Sequence, residues 1–483
     1  FSRKDAEKMS EYDDFLSHFR DLLQPLLDDA PPPGVLSYNI DGLGYDVDGT
    51  KKSEKKGRRL KEIYKMHASQ YYQLWQQMRK NKDRLPDFYE FMTAPANVIL
   101  NRWFESDILK TTLATDAVIG SILSPADPGS AYVLLHHVMG EVEGRQGVWA
   151  YCQGGMGSIT KALAQCAKDH GAQILTNATV DRVLLHKHLS TPPKIKGVVM
   201  KDGTPIYAKV VLSNATPYHT FVELLSSKNT TDDVDDAAIR ALIPQSYLQT
   251  IEHSDYACGA FKINCVVDQL PNFQCIPNES YKASDGQLRF KVGDQHKGTV
   301  HFESRLTELE DAAKEAKRGI PATRPVIEMT IPSSLDDTLV PKDKLGQHHI
   351  VQLFVQYAPY ELNKEELGVS SWDDGDFKQR FADRVFRIID EFAPNFSQSV
   401  LHRDLLSPRD LERVFGLHKG NIFHGALSLN QIGYCRPVSK YSSYRTPIEG
   451  LYLCGSGTHP GGGVMGAPGK NCAKHVLFDL KMY

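Results

Sequence analysis

The stretch 450–466 constrains this chain most: Gly450-Leu451-Tyr452-Leu453-Cys454-Gly455-Ser456-Gly457-Thr458-His459-Pro460-Gly461-Gly462-Gly463-Val464-Met465-Gly466. A short apolar strand runs into a loop of very high glycine density and then into a helix-like end. Glycines let a ligand approach bare backbone. The unpaired N–H groups at the following helix start make an anion site suited to a phosphate or pyrophosphate. Gly461-x-Gly463-x-x-Gly466 formally matches the dinucleotide fingerprint, but that fingerprint needs a second strand with an acidic residue about twenty positions on. The sequence runs only to Tyr483, which leaves no room for it. Gly155-x-Gly157-x-x-Thr160 lacks its third small residue, and no GxxxxGK[ST] occurs. The loop therefore reads as one wall of a nucleotide site whose other wall lies elsewhere.

Upstream, Phe15, Leu16, Phe19, Leu22, Leu23 and Leu26 recur at helical spacing and stop at Pro31-Pro32-Pro33-Gly34. Residues 50–65 carry Lys51, Lys52, Lys55, Lys56, Arg58, Arg59, Lys61 and Lys65. Without interleaved aromatics they read as a solvated face rather than a patch for membrane or partner. Leu109, Leu113 and Ala117 form a packed-helix stripe, and Leu134-Leu135-His136-His137 reads as core with a satisfied histidine pair. Strands are expected over 148–151, 173–176, 179–185, 195–200 and 206–212. Gly154 to Ser158 is a turn, Ile159, Leu163 and Cys166 share a helix face, Gly171 stops that helix, and Asp202-Gly203 is a hairpin signal. Farther on, 262–267 and 350–355 read as strands. Phe377, Phe381, Val385, Ile389 and Phe392 form a helical core stripe closed by Pro394.

Composition narrows the function classes. Lys+Arg 56 against Asp+Glu 59 gives a formal charge of −3, so no global positive field exists to hold nucleic acid. The most apolar run, 113–123, contains Thr115, Asp116 and Ser121 and is too short and too polar for a transmembrane segment. Eight cysteines without a Cys-x-x-Cys pair or a zinc-spaced Cys/His cluster read as free thiols in a reducing compartment, with no metal. Cys454, in an apolar strand, reads as buried and inert. The chain opens at Phe1 with no targeting segment, which reads either as a leader removed or as a copy shortened at its N-terminus.

With these motifs the chain resembles the phytoene desaturase and amine oxidase flavoprotein superfamily. The terminal loop is similar to the flavin-binding signature. One subfamily is matched by Trp103-Phe104-Glu105-Ser106, 114–120, 132–140, Gly154-Gly155-Met156-Gly157, 411–417 and Gly420-Asn421-Ile422-Phe423-His424. The resemblance implies a mixed α/β (α+β) fold: an incomplete bipartite FAD-binding Rossmann-like domain with an inserted helix-plus-sheet substrate domain. Residues 1–145 would be the mainly helical part of the substrate or cap domain, 146–220 the middle of the FAD domain, 221–415 the substrate domain and 416–483 the C-terminal part of the FAD domain. Val180 would be the adenine-side strand residue, Asn214 and Ala215 would lie near the dinucleotide, and Gly455, Ser456, Gly463, Val464 and Met465 would line the flavin. The family's N-terminal fingerprint is absent, so weak FAD binding is expected of this chain. Pro468 requires the terminal helix to start late or to kink.

The implied activity is FAD-dependent oxidation or reduction of an apolar small molecule in mitochondria. The alternatives are a mitochondrial regulatory protein keeping the fold as scaffold, or a polyene desaturase or isomerase. The implied location is the mitochondrial matrix, peripheral to the inner membrane, with a respiratory-complex (cytochrome c oxidase) subunit as partner. Among ionisable side chains, His459 and His424 are the weak catalytic candidates; for each, the structural reading comes first, a loop-bracing hydrogen bond in the case of His459.

Overall fold

The computed structural model describes residues 2–31, 65, 68–186, 192–225, 241–283 and 286–482. Its main helices are α1 (Arg3–Leu27), α2 (Leu85–Thr93), α3 (Ala96–Trp103), α4 (Asp107–Thr115), α5 (Ser130–His137), α6 (Gly157–Asp169), α7 (Gln245–Glu252), α8 (Leu306–Lys317), α9 (Phe377–Asp390), α10 (Pro408–Phe415) and α11 (Ala467–Met482). Its main strands are β1 (Val180–Leu185), β2 (Ile195–Met200), β3 (Pro205–Tyr207), β4 (Val211–Ser213), β5 (Phe261–Val267), β6 (Val300–His301), β7 (Val326–Thr330), β8 (His349–Gln356), β9 (Val400–Leu406) and β10 (Leu451–Leu453). The chain is a mixed α/β protein of two compact units, one made of 1–8, 94–176 and 257–415, the other of 9–93, 177–256 and 416–483.

The first unit is built on a five-stranded antiparallel sheet ordered β6-β7-β8-β5-β9. Alternation along β5 sends Phe261, Ile263, Cys265 and Val267 to one face, where they meet Val351, Leu353 and Val355 of β8. Helix α9 covers that face with Phe381, Val385 and Ile389, as its spacing predicts, and Trp372 completes the cluster. Each such side chain contributes about 1.5–3 kcal/mol on burial. The Trp372 indole N–H donates to the Pro359 carbonyl at 2.8 Å. Phe392 falls beyond α9 and is exposed, so the stripe ends one turn early. His136 and His137 are buried in α5; desolvation, with His136 alongside, lowers His137 to about 3, so it is a neutral core residue.

The second unit holds a three-stranded antiparallel sheet, β1-β2-β3, and a parallel pair, β4 with β10. Ile195, Phe221, Tyr247, Leu248, Leu451 and Leu453 share its main core cluster. The apolar stripe of α1 is met by α2, with the Phe19 ring 5.5 Å from Phe88 and 5.3 Å from Phe91.

Several strand expectations differ from the structure. Residues 148–151 and 173–176 are irregular, with Trp149 66% and Leu175 69% exposed. Apolar, β-prone residues form a strand only when a ladder partner is present, and none pairs with them among the described residues. α6 forms, but no side chain in it is buried, so the Ile159, Leu163 and Cys166 face is uncovered. The expected strand over 206–212 is two strands: β3 pairs antiparallel with β2, and after Lys209 the chain changes sheet so that β4 runs parallel to β10. All the basic residues of 50–65 except Lys65 lie outside the described residues, as do Pro32, Pro33 and Gly34. No helix among the described residues is long and apolar enough to cross a membrane.

Candidate functional site

Buried Leu451, Tyr452 and Leu453 fix β10 in parallel register with Val211, Leu212 and Ser213 of β4. Parallel strands end at the same edge, so the residues after them meet. The Cys454 N–H donates to the Ser213 carbonyl at 2.9 Å. A Cβ at Gly455 would overlap the Asn214 carbonyl, and one at Gly457 would overlap the Pro217 ring and stand 3.3 Å from the His424 Cβ. These two glycines are demanded by close backbone approach. Past residue 462 the loop opens. A Cβ at Gly466 would meet nothing within 4 Å, and Val464 is 74% exposed with a φ of +57°. α11 starts at Ala467, which puts Pro468 in its first turn, where a missing N–H costs nothing.

Arg436 holds the packed half together. Its side chain is buried, and Nη2 donates to the carbonyls of Ser456 (2.8 Å), Phe423 (2.5 Å) and Gly425 (3.1 Å), with Nε donating to Ser456 (3.1 Å). Nη1 donates to Ala426 (3.3 Å) and Gln431 (3.1 Å). One guanidinium therefore binds the glycine loop to the 423–431 segment. Asn421 Oδ1 accepts the Phe423 and Gly425 N–H groups at 2.9 and 3.0 Å. Pattern reading missed Arg436: its neighbours form no recognisable motif, and its acceptors come from separate stretches of chain.

The expected site residues fall into three places. Asn214, Ala215, Gly455 and Ser456 come together at the end of the parallel pair; Gly463, Val464 and Met465 lie in the open half of the loop; Val180 begins β1, in a different sheet. The two histidines separate as well. His459 Nε2–H donates to the Leu26 carbonyl at 2.5 Å, a bond that braces the loop. His424 lies beside Gly457 and lines a cavity of about 20 Å³, the size of one water, with Pro217, Tyr256, Gln431 and Arg436. Its Nδ1 is buried without a hydrogen-bond partner, and burial together with the Arg436 charge lowers its pKa to about 4. The exposed residues 464–466 and the helix N–H groups behind them fit the phosphates of a dinucleotide, while His424 lines a one-water space beside the packed half.

The first unit carries a separate set of titratable groups on the sheet face opposite α9. Glu328 and Lys262 lie in one cross-strand row through Phe354. Desolvation, with the charges of Asp116 and Glu303 added, raises Glu328 to about 8; the Gln356 Nε2 donates to its Oε1 at 3.2 Å. Desolvation also raises Glu303 to about 7 and Asp116 to about 6, and it lowers Lys262 to about 8. Shifts of this size cluster at functional sites and at buried ion networks alike.

Compared with curated proteins, the chain is 43% identical over 486 residues to the pyridine nucleotide-disulfide oxidoreductase domain-containing protein 2 of Rattus norvegicus, covering 100% of this chain and 74% of that one. The chain belongs to that family. The mouse member, from Mus musculus, is 42% identical with the same coverage. A lycopene-forming phytoene desaturase of Pantoea ananas is 27% identical, over 74% of this chain and 61% of its own length. Among solved structures, an oxidoreductase from Methanosarcina mazei aligns with a TM-score of 0.45 at 15% identity, covering 80% of this chain and 68% of that one. No family model matches.

Proposed function

We propose that this member of the family is an FAD-dependent oxidoreductase whose 454–466 loop holds the dinucleotide and whose substrate is an apolar small molecule. The observation that carries the reading is the loop's division into a half locked by Arg436 and an open half leading into α11. In that reading the backbone of 463–466 and the first N–H groups of α11 receive the phosphates. Asn214, Ala215, Gly455 and Ser456 line the cofactor where β4 and β10 end, and Val180 stands on the adenine side. When bound, the flavin supplies the two-electron chemistry. His424, with a pKa of about 4, stays neutral at neutral pH and keeps one ring nitrogen as a proton acceptor there.

The experiment is flavin retention followed by reduction. Protein expressed from its whole reading frame is passed through gel filtration, and the retained flavin is then challenged with NAD(P)H and a panel of apolar substrates. Reduction by a substrate supports the oxidoreductase. Flavin retained but inert to every reductant favours the scaffold reading, and turnover of a polyene favours the desaturase reading, which the 22–27% identity to phytoene and diapophytoene desaturases supports. The mitochondrial matrix location and the cytochrome c oxidase partner rest on the resemblance alone; fractionation and co-purification test them.

A further inference from the structure

Two cysteines eighteen positions apart in sequence meet in the second unit. Cys454 follows β10 at the mouth of the glycine-rich loop, and Cys472 lies in the second turn of α11. Cys454 packs against the cluster that contains Cys472, Tyr444, Tyr452 and Val476, so the two cysteine side chains are neighbours there. The two elements are clamped around them. Asp479 of α11 accepts from Arg445 Nε at 2.8 Å and from the Tyr452 hydroxyl at 2.7 Å, and the Asn471 side chain donates to the Leu27 carbonyl at 2.9 Å. His475 and Lys474 of α11 both hold Asp29.

The thiols differ in a useful way. Cys472 is fully buried, whereas Cys454 is only half-buried. The neighbouring Cys472 holds the Cys454 thiol below its ordinary range, and the same contact with burial pushes Cys472 up. The more accessible sulfur is the one a small oxidant reaches first, and the sheltered one is packed beside it, the arrangement of an attacking and a resolving thiol.

We propose that Cys454 and Cys472 are a reversible redox pair, oxidised by hydrogen peroxide to a disulfide that ties the strand entering the glycine-rich loop to the helix leaving it, and reduced again by an external dithiol. The Cys454 thiolate attacks one peroxide oxygen; the S–O bond forms, the O–O bond breaks, and the leaving hydroxide takes a proton to become water. Cys472 then loses its proton, and its sulfur attacks the Cys454 sulfenic acid. The S–S bond forms, the S–O bond breaks, and hydroxide leaves with that proton as a second water. Two thiols give up two electrons, and one peroxide is reduced to two waters. This step goes beyond the flavin reading and needs no bound cofactor.

The test is thiol mapping of the full chain after hydrogen peroxide, with alkylation, tryptic digestion and mass spectrometry. Trypsin separates 446–470, which holds Cys454, from 471–474, which holds Cys472. The expected product is those two peptides joined by a disulfide that dithiothreitol removes. Cys472→Ser should instead leave a dimedone-reactive sulfenic acid on Cys454, and Cys454→Ser should leave Cys472 fully alkylatable. Oxidation confined to the exposed Cys166 and Cys275, with Cys454 and Cys472 alkylated as in untreated wild-type protein, would overturn the proposal. The wild-type mapping decides even where a variant fails to fold.

Discussion

A buried guanidinium that donates to five carbonyls is worth most as a set, because removing it strands every acceptor at once. Arg436→Ala should therefore cost at least about 3 kcal/mol in urea unfolding. Arg436→Lys should recover only part of that, since an ammonium cannot fork to acceptors on two sides. A loss under about 1 kcal/mol would show that Ser456 and the 423–431 carbonyls find other donors. Glu328 makes a prediction of opposite character. Its folded pKa of about 8 lies above the ordinary carboxylate value, so its stabilising contribution is complete below the unfolded pKa and is lost as pH rises through 8. Asp116 and Glu303 act in the same direction. Lys262 responds only at higher pH, because its lowered pKa makes stability rise between about 8 and its ordinary value. Glu328→Gln should thus flatten the decline in thermal stability between about pH 5 and about pH 7.5, by up to about 3 kcal/mol across that window at about 1.36 kcal/mol per pH unit. An unchanged slope would place Glu328 in a better-hydrated setting than its row on the sheet implies.

At the scale of elements, the loop divides its glycines by what surrounds them. Gly457→Ala drives a methyl into the Pro217 ring and should cost about 1–3 kcal/mol, as overpacking does. Gly466→Ala meets open space and should cost only about 1 kcal/mol of backbone strain at its φ of +66°. Equal costs, measured by thermal unfolding, would contradict the division into packed and open halves. The composition of 450–466 announced this loop, because so many glycines between an apolar strand and a helix have few structural uses. The α9 stripe was legible for a similar reason: Phe381, Val385 and Ile389 repeat at the helix period and face one sheet. Pairing partners were not legible. Residues 148–151 and 173–176 have the side chains of strands but no ladder, and no local period marks where 206–212 leaves one sheet for another. Arg436 was invisible because its meaning lies in carbonyls remote from it, and the neighbourhood of Cys454 and Cys472 was invisible because only the fold brings them together.

The whole molecule comprises two compact units, each with its own chemistry in view. One carries a desolvated glutamate and lysine in one row of an antiparallel sheet, with the charges of Asp116 and Glu303 acting on the glutamate; the other carries a glycine-rich loop at the end of a parallel strand pair. Membership in the pyridine nucleotide-disulfide oxidoreductase domain-containing protein 2 family joins these to oxidoreductase names without fixing a substrate. The oxidoreductase reading turns on whether the 454–466 loop holds a flavin dinucleotide. Its most direct test is the visible spectrum, after gel filtration with added FAD, of protein expressed from the whole reading frame, beside a Gly457→Val variant shown to be folded by circular dichroism. Flavin absorbance should travel with the wild-type protein and be lost from the variant. A well-folded wild type that stays colourless, or a variant that keeps its flavin, would contradict it.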